Sequence, residues 1–336
     1  MATYYVRTDG NDSNPGTSDS SGGAWRTLAH AGASVSAGDT VMVRASAGNA
    51  ASYPTSGLDY AISSFFTPGA GSAGGGYVRW IGYNGVPTIG TPGLGIYSAV
   101  SQWFQGLYFV ATGNSSGIYG MLNLTDSVIR DCVLNTNGQT ATVGAVLSGA
   151  SSMRGGEVYG GSTAPSFSSG SYGIQSVNYS TLVQGVRIRY CLDSGIYVTA
   201  GCDVRDCLIY GCAGDGLVLT GAVIVPALVI GNTIDGNQGH GINVSATNGA
   251  AWAVIRNNNI TSHIQSGKSG IRVATSGSDV RKLDWGFNNV WNNTSNYANV
   301  TASATDLSTD PDYADTTGGD YTPQEPTLLA AFPTAF

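Results

Sequence analysis

Residues Val183–Ile196 read VQGVRIRYCLDSGI and return twice downstream, as VRDCLIYGCAGDGL over 204–217 and VIGNTIDGNQGHGI over 229–242. The copies begin 21 and then 25 residues apart, and they align without gaps. A period of roughly 20 to 30 residues is typical of a solenoid, in which each repeat buries its apolar face only when neighbours stack on it. The repeat therefore predicts a stack of similar coils.

Each copy ends in glycine followed by isoleucine or leucine. This pair stands at Gly117-Ile118, Gly173-Ile174, Gly195-Ile196, Gly216-Leu217, Gly241-Ile242 and Gly270-Ile271. A fourth copy begins at Ile255, keeps Ile260 and reaches Gly270 only after three extra residues. Insertions of this kind belong to loops.

Apolar residues alternate with polar ones over short stretches of each copy, as in Val186–Tyr190 and Ile196–Val198. Alternation with a period of two indicates strands, and Gly, Asn and Asp between the strands favour turns. We predict an all-β parallel β-helix with coils roughly 4.8 Å apart. The following sets should then stack in columns: Val183, Val204 and Val229; Ile188, Ile209 and Ile234; Gly195, Gly216 and Gly241.

Cysteine and asparagine share one predicted column. Cys191 and Cys212 occupy equivalent places in consecutive copies, and Asn237 takes the same place in the next. An asparagine at a bend is able to pair its amide with the coils above and below. Inward cysteine behaves as a small apolar residue, and zinc-type spacing is absent. We therefore interpret the five cysteines as packing residues, with a metal site or disulfides as the alternatives.

The two ends of the chain resemble a known family. The opening Tyr4–Thr17, then Trp25–Ala31 and Ala37–Val43 with its Gly-Asp-Thr-Val run, is similar to the start of pectate-lyase-like right-handed parallel β-helix proteins. Asp310–Tyr313 and Gly319–Pro323 resemble the closing segment of that family. The resemblance implies a right-handed, single-stranded parallel β-helix with a short N-terminal capping helix.

One solenoid accounts for the whole length, so we predict a single domain over 1–336 without a linker. Residues 1–40 form the N-terminal strand, loop and cap, 41–300 form the coils, and 301–336 form a C-terminal cap or tail. This tail is expected to wrap the last coil, or else to dock on a partner.

The composition of the chain argues against some classes of binding partner. Charged residues make up 10% of the chain and the formal net charge is −7, which argues against nucleic acid because phosphate binding needs clustered Lys and Arg. The longest apolar runs are too short to span a membrane. The start Met1–Val6 lacks the basic and apolar regions of a signal peptide. The sequence thus predicts a protein made in the host cytoplasm.

Candidate catalytic residues cluster at the bend before the repeated glycine. Asp215 and His240 share a column, Asp193 lies one position earlier, and Lys268 takes the corresponding place in the fourth copy. Stacked coils would bring an acid and an imidazole within general acid/base distance. The alternative is that these are solvated turn residues, and we favour no catalytic residue. We predict no metal and no cofactor.

Other acidic residues are interpreted as structural. Asp126 and Asp131 are read as bend residues, because Arg130 lies between them and Glu occurs only at Glu157 and Glu325. Gly185, Asp206, Gly231 and Asn257 form a second column of residue types that tolerate left-handed turns. Aromatic residues are candidates for sugar stacking, core cover or a subunit contact: Trp103, Tyr108, Tyr197, Tyr210 and Trp252.

Two functions remain open. The first is a non-enzymatic bacteriophage virion protein, such as a capsid decoration, turret or head-fibre subunit, located in the virion. The second is a tailspike-like or other polysaccharide lyase or glycoside hydrolase that acts on a host surface glycan. The resemblance implies a homotrimer, whose other partner would be the major capsid protein or another virion protein. We lean towards the first function and leave enzymatic activity open.

Overall fold

The computed structural model describes residues 1–46, 58–62, 71, 76–91, 96–113, 120–161, 163, 165–178, 180–220, 226–245, 252–274 and 283–331. They fall into two compact units, Met1–Tyr159 and Gly160–Phe336. In each unit the strands form three parallel sheets, here called A, B and C. The single domain expected over 1–336 stays a prediction. The Gly117-Ile118 pair lies outside the described residues.

The first unit begins with a strand and a short helix. Sheet A contains β1 (Thr3–Val6), β2 (Thr40–Arg44), β4 (Val78–Tyr83), β7 (Gln102–Gln105), β10 (Val128–Arg130) and β13 (Ser152–Arg154). Sheet B contains β3 (Tyr60–Ala61), β5 (Thr88–Thr91), β8 (Tyr108–Ala111), β11 (Val133–Asn135) and β14 (Glu157–Tyr159). Sheet C contains β6 (Ile96–Val100), β9 (Leu122–Thr125) and β12 (Ala145–Ser148).

The expected capping helix is present as α1 (Leu28–Ser34). Thr27 is its N-cap, because the hydroxyl oxygen accepts a hydrogen bond from the backbone N–H of His30 at 3.1 Å. The same hydroxyl donates to Asp12 at 2.7 Å, which ties the Gly/Asn/Asp-rich loop to the helix. Leu28 and Ala31 are buried and anchor the helix.

The second unit repeats the three sheets. Sheet A contains β16 (Thr181–Gln184), β19 (Cys202–Arg205), β22 (Ala227–Ile230), β25 (Ala253–Arg256) and β28 (Leu283–Gly286). Sheet B contains β17 (Arg187–Arg189), β20 (Leu208–Tyr210), β23 (Thr233–Asp235), β26 (Asn259–Thr261) and β29 (Asn289–Trp291). Sheet C contains β15 (Ile174–Ser176), β18 (Ile196–Val198), β21 (Leu217–Leu219), β24 (Ile242–Val244), β27 (Ser269–Val273) and β30 (Ser295–Ala298).

The strand register confirms the predicted columns. Val204 pairs with Val183 on one side and Val229 on the other, and Ile209 does the same with Ile188 and Ile234. All of these side chains are buried. The chain passes from sheet A to B to C and returns to A one strand further on, in the right-handed sense favoured for parallel crossovers. The fold is therefore an all-β, right-handed parallel β-helix.

The repeated glycine has a packing cause. A Cβ atom at Gly216 would lie 2.4 Å from Cγ2 of Ile234 and 2.8 Å from the carbonyl oxygen of Gly241. Any side chain would therefore collide with the next coil. The glycine lets each sheet C strand begin against the isoleucine column of sheet B.

The corner between sheets A and B requires left-handed backbone. Gly185, Asp206, Gly231 and Asn257 have φ of 63°, 53°, 71° and 56°, as the sequence predicts. The next column holds Cys207, Asn232, Asn258 and Asn288, and each backbone N–H from Cys207 to Asn258 donates to the side-chain oxygen of the following asparagine. The sequence analysis predicts amide pairing only at Asn237 and does not predict this asparagine ladder.

The predicted column of Cys191, Cys212 and Asn237 is also present and continues further. Cys212 N–H donates to the Asn237 side-chain oxygen at 2.9 Å, and Asn237 Nδ2 lies 3.3 Å from Nε2 of His263. His263 Nδ1 then donates to the Asn293 side-chain oxygen at 2.8 Å. All five cysteines are free and buried, in agreement with a packing role.

The tail wraps the last coil over only part of its length. Asp306 accepts the N–H of Asn288 at 2.9 Å, and Leu307 bridges to Asn289, so this segment covers the end of the second unit. The antiparallel hairpin of β31 (Tyr313–Asp315) and β32 (Asp320–Pro323) instead lies over sheet B, where Tyr321 packs 5.0 Å from Tyr210. The chain ends in α2 (Pro326–Ala331).

Candidate functional site

The turns that lead from sheet B to sheet C in the second unit carry the predicted catalytic candidates. Asp193, Asp215 and Lys268 line one open cleft of about 620 Å³, together with Phe167, Gln238 and Gln265. His240 lies in the adjacent turn and is buried. The structure therefore brings the two acids and the lysine together and places the imidazole beneath them.

Asp193 is held by one backbone amide and one hydroxyl. Its Oδ2 accepts the N–H of Gly170 at 2.8 Å, and its Oδ1 accepts the hydroxyl of Ser194 at 3.1 Å. Burial raises the pKa of Asp193 above the usual range, while these two donors oppose the rise. A Cβ atom at Gly214 would lie 2.6 Å from Asp193 Oδ1, so glycine in the next coil makes room for this carboxylate.

Asp215 forms the same kind of link to the following coil. Its Oδ1 accepts the backbone N–H of His240 at 2.6 Å, and its Oδ2 accepts the side-chain amide of Asn243 at 2.7 Å. Arg272 Nη1 donates to the other end of that amide, the Asn243 oxygen, at 3.2 Å. Asp215, Asn243 and Arg272 thus form a polar chain that crosses successive coils.

His240 continues the column as an acceptor. Its Nδ1 accepts the backbone N–H of Ser269 at 2.9 Å, so the neutral ring carries its proton on Nε2. Burial lowers the pKa of His240, and the nearby Asp215 carboxylate opposes this shift. The imidazole is therefore neutral near pH 7. It joins the third copy of the repeat, over 229–242, to the fourth copy, which begins at Ile255.

An aromatic pair lies beside the cleft. The rings of Tyr172 and Tyr197 stack with centroids 4.4 Å apart and an interplanar angle of 13°. Burial and then the charge of Asp193 raise the pKa of Tyr172 to about 12, which places this pair near the acid. Stacked tyrosines offer a flat apolar face for a sugar ring or for another protein.

The arrangement has limited acid/base chemistry. General acid/base catalysis requires a group within hydrogen-bond reach of the substrate. Asp193, Asp215 and His240 each accept a backbone N–H through an oxygen or nitrogen that such a reaction would use. Lys268 is the remaining charged group of the cleft. The geometry suits coil-to-coil linkage and ligand contact more than proton transfer.

The other sequence candidates lie in separate places. Asp126 and Asp131 are bend residues with φ of 48° and 49°, as predicted. Tyr108 and Tyr210 are buried, whereas Trp252 is exposed. Within the described ranges, no three His, Cys, Asp or Glu side chains converge as a metal site would require. The described helices include none long and apolar enough to cross a bilayer.

Sequence reasoning missed Tyr172, Asn243 and Arg272. Asn243 and Arg272 stand two residues after the repeated glycine, in the outward column that also holds Tyr197. The sequence allows this column to be predicted, because the second residue after each repeated glycine faces outward from sheet C. Tyr172 lies in a turn before β15, and nothing in the repeat indicates that it stacks on Tyr197.

The chain is similar to known proteins in its fold. A family model described as a right-handed β-helix region matches residues 152–260. The structure of a rhamnogalacturonan lyase is 13% identical with a TM-score of 0.51, and the match covers 98% of this chain and 94% of that one. No curated protein matches significantly.

Two further structures align less closely. The pectate lyase Pel9A is 12% identical over 95% of this chain and 84% of that one, with a TM-score of 0.49. The Dettilon tailspike protein is 16% identical, and the match covers 79% of this chain and 59% of that one, with a TM-score of 0.48. The family match over residues 152–260 and the three parallel sheets show that the chain has the right-handed parallel β-helix fold, which the resemblance to pectate-lyase-like proteins predicts.

Proposed function

We propose that the chain is a non-enzymatic structural subunit of a bacteriophage particle, such as a capsid decoration, turret or head-fibre protein. One observation carries the proposal. The candidate catalytic groups Asp193, Asp215 and His240 each accept a backbone N–H from another turn or coil. They hold the solenoid together in the way that its asparagine ladder does.

The energetics favour this role. A hydrogen bond from a backbone N–H to a charged acceptor contributes about 1.5–3 kcal/mol. A substrate that drew either Asp215 oxygen out of its present position would displace the N–H of His240 or the amide of Asn243. Each displaced donor would then lie unpaired in a largely buried turn. The site is therefore stable as a linkage and costly to use as a catalytic base.

Composition supports a particle protein as well. Charged residues amount to 10% of the chain, and its surface relies on hydroxyl and amide side chains. Such a surface suits contacts with neighbouring copies and with other virion proteins, because few charges need to be desolvated. We propose that the chain acts as a homotrimer bound to the major capsid protein or another virion protein. Native mass spectrometry of the purified chain tests the trimer directly.

The enzymatic alternative is tested by depolymerisation. The purified chain is incubated with pectin, alginate, xylan and the surface polysaccharides of the host, and new reducing ends and unsaturated products are measured. We expect no cleavage above the buffer control. Cleavage that Asp193→Asn, Asp215→Asn or His240→Asn reduces at least about a hundredfold would contradict the structural role.

The alternative has one observation in its favour. The cleft beside Asp193 has a volume of about 620 Å³ and adjoins the stacked Tyr172 and Tyr197. Stacked aromatic faces and charged side chains are common in sugar sites. On this reading the chain is a tailspike-like lyase or hydrolase that acts on a host glycan. Cleavage by the wild-type chain, lost when Tyr197→Ala removes the platform, would support it.

A further inference from the structure

The C-terminal hairpin covers part of sheet B in the second unit and leaves a second cleft of about 600 Å³ beside it. The hairpin is fixed by aromatic contacts, since Tyr321 packs 5.0 Å from both Tyr210 and Tyr313. Its position is held further by Tyr313, whose hydroxyl lies 3.2 Å from that of Thr261. The cleft is thus built between a rigid sheet and a segment anchored onto it.

An unpaired cation stands at this cleft. Arg187 lies on β17 and is exposed, and within the described part of the chain no ion pair holds it. Its guanidinium lies under the hairpin, because a Cβ atom at Gly319 would be 3.6 Å from Arg187 Nη1. By contrast, the half-buried Arg205 and Arg256 of sheet A are both paired with aspartates. Arg187 therefore has donors available for a ligand.

Acceptors and an apolar surface complete the lining. The carboxylates of Asp206 and Asp320 face the same cleft, and Leu208 and Tyr321 supply apolar contact. Hydrogen bonds from the Thr322 hydroxyl and then from its backbone N–H, which lies 3.0 Å away, lower the pKa of the Asp320 carboxyl, so the group is ionised at neutral pH. Two carboxylates, Asp206 and Asp320, thus line the same cleft as the Arg187 guanidinium, which donates hydrogen bonds.

This combination selects a class of ligand. A neutral sugar hydroxyl both donates and accepts, so vicinal hydroxyls satisfy a guanidinium and a carboxylate together. The C–H face of a pyranose ring packs on leucine and tyrosine. An acidic sugar would add a negative charge to a cleft that already holds two carboxylates and one guanidinium, in a chain of net charge −7.

We infer that the cleft between β17, β20 and the C-terminal hairpin binds a neutral saccharide. Arg187 donates to ring hydroxyls, Asp206 and Asp320 accept from them, and Leu208 with Tyr321 contacts the ring face. The volume falls within the range of roughly 300–1,000 Å³ that small-ligand sites occupy. The site is distinct from the cleft at Asp193, and the inference does not depend on the proposed function.

Binding is tested with the full chain and two matched variants. Neutral trisaccharides of glucose, mannose, galactose and N-acetylglucosamine are titrated by saturation-transfer NMR and calorimetry, with trigalacturonate as the acidic probe. Arg187→Ala removes the free cation. Asp206→Gly removes one acceptor at a corner where adjacent coils already carry Gly185 and Gly231. Arg79→Ala, an exposed arginine of the first unit, is the control.

We expect at least one neutral trisaccharide to bind with a Kd of about 1 mM or tighter, and both cleft variants to weaken it about tenfold or more. The Arg79→Ala control should bind as the wild type does. Failure of every neutral probe, stronger binding of trigalacturonate, or equal binding by Arg187→Ala and the wild type would overturn the assignment. Circular dichroism of each variant separates lost binding from lost folding.

Discussion

The side-chain oxygen of Asn258 accepts two hydrogen bonds from Asn232, from its backbone N–H at 3.1 Å and from its side-chain amide at 2.9 Å. Asn258 in turn donates to Asn288, whose own N–H is accepted by Asp306. Aspartate has no donor, so it ends the ladder where the coils end. This relation explains how polar groups are buried at a corner without being left unpaired.

Asn258→Ala should lower the free energy of unfolding by about 2–4 kcal/mol, because it removes the acceptor of the buried Asn232 N–H and the amide that donates to the Val229 carbonyl and the Asn288 side-chain oxygen. Urea denaturation followed by circular dichroism measures the change. Asn178→Ala, at an exposed asparagine of the same unit, should stay within about 0.5 kcal/mol of wild type. Equal effects of the two substitutions would contradict a ladder that carries stability.

Ile209→Asp should destabilise the chain by several kcal/mol and prevent soluble expression. Ile209 is fully buried between Ile188 and Ile234, so the charge of the introduced aspartate would lack a partner. Leu208→Asp changes the neighbouring residue, which points to the opposite face of the strand and is only half-buried. It should remain soluble. A folded Ile209→Asp protein would show that the register is wrong.

Stability should depend on pH through His263. Burial lowers the pKa of His263 from 6.5 to about 4, and the hydrogen bond to Asn293 opposes part of this shift. Well above pH 6.5 the ring is neutral in both the folded and the unfolded state and contributes no pH dependence. As the pH falls from 6.5 to 4 the unfolded chain binds a proton that the folded chain does not, so stability falls by about 3 kcal/mol.

His263→Asn checks this origin, since an asparagine between Asn237 and Asn293 would extend the column without a titrating ring. Thermal unfolding at several pH values measures both proteins. The difference between them should be constant above pH 7 and should change between pH 6.5 and 4. A difference that is independent of pH would rule out His263 as the source.

Asp215→Ala should cost about 1–3 kcal/mol of unfolding free energy, because His240 N–H and the Asn243 amide lose their acceptor. Gln238→Ala changes an exposed residue of the same cleft and should have little effect. Differential scanning calorimetry compares the two variants. An Asp215→Ala protein as stable as Gln238→Ala would mean that the carboxylate is not a structural link.

The repeat predicts the coils because burial leaves few choices at each inward position. Val183, Ile188 and Gly195 recur since they face a valine, an isoleucine or a backbone carbonyl of the next coil. The Asn232 ladder was less visible, because Cys207 occupies its column in the preceding coil. The residue type in this column changes from cysteine to asparagine along the stack, while the place of the column in each coil stays the same.

The clefts were harder to foresee. Column positions place Asp193, Asp215 and Lys268 close together, and the three side chains line one cleft. The sequence did not indicate that the carboxylate oxygens of the two aspartates accept backbone N–H groups, since this depends on the turn geometry. The hairpin over sheet B brings Tyr321 to Tyr210 across more than a hundred residues, and no local pattern encodes that contact.

The most direct test of the structural role is a cryo-EM map of the phage particles released by a host strain that carries this gene, at a resolution that traces side chains. We predict copies of the chain at regular positions on the capsid surface, grouped in threes, with the Asp193 cleft free of any polysaccharide. Particles without the chain, or copies confined to the tail with a glycan bound at Asp193 and Asp215, would contradict the proposed function.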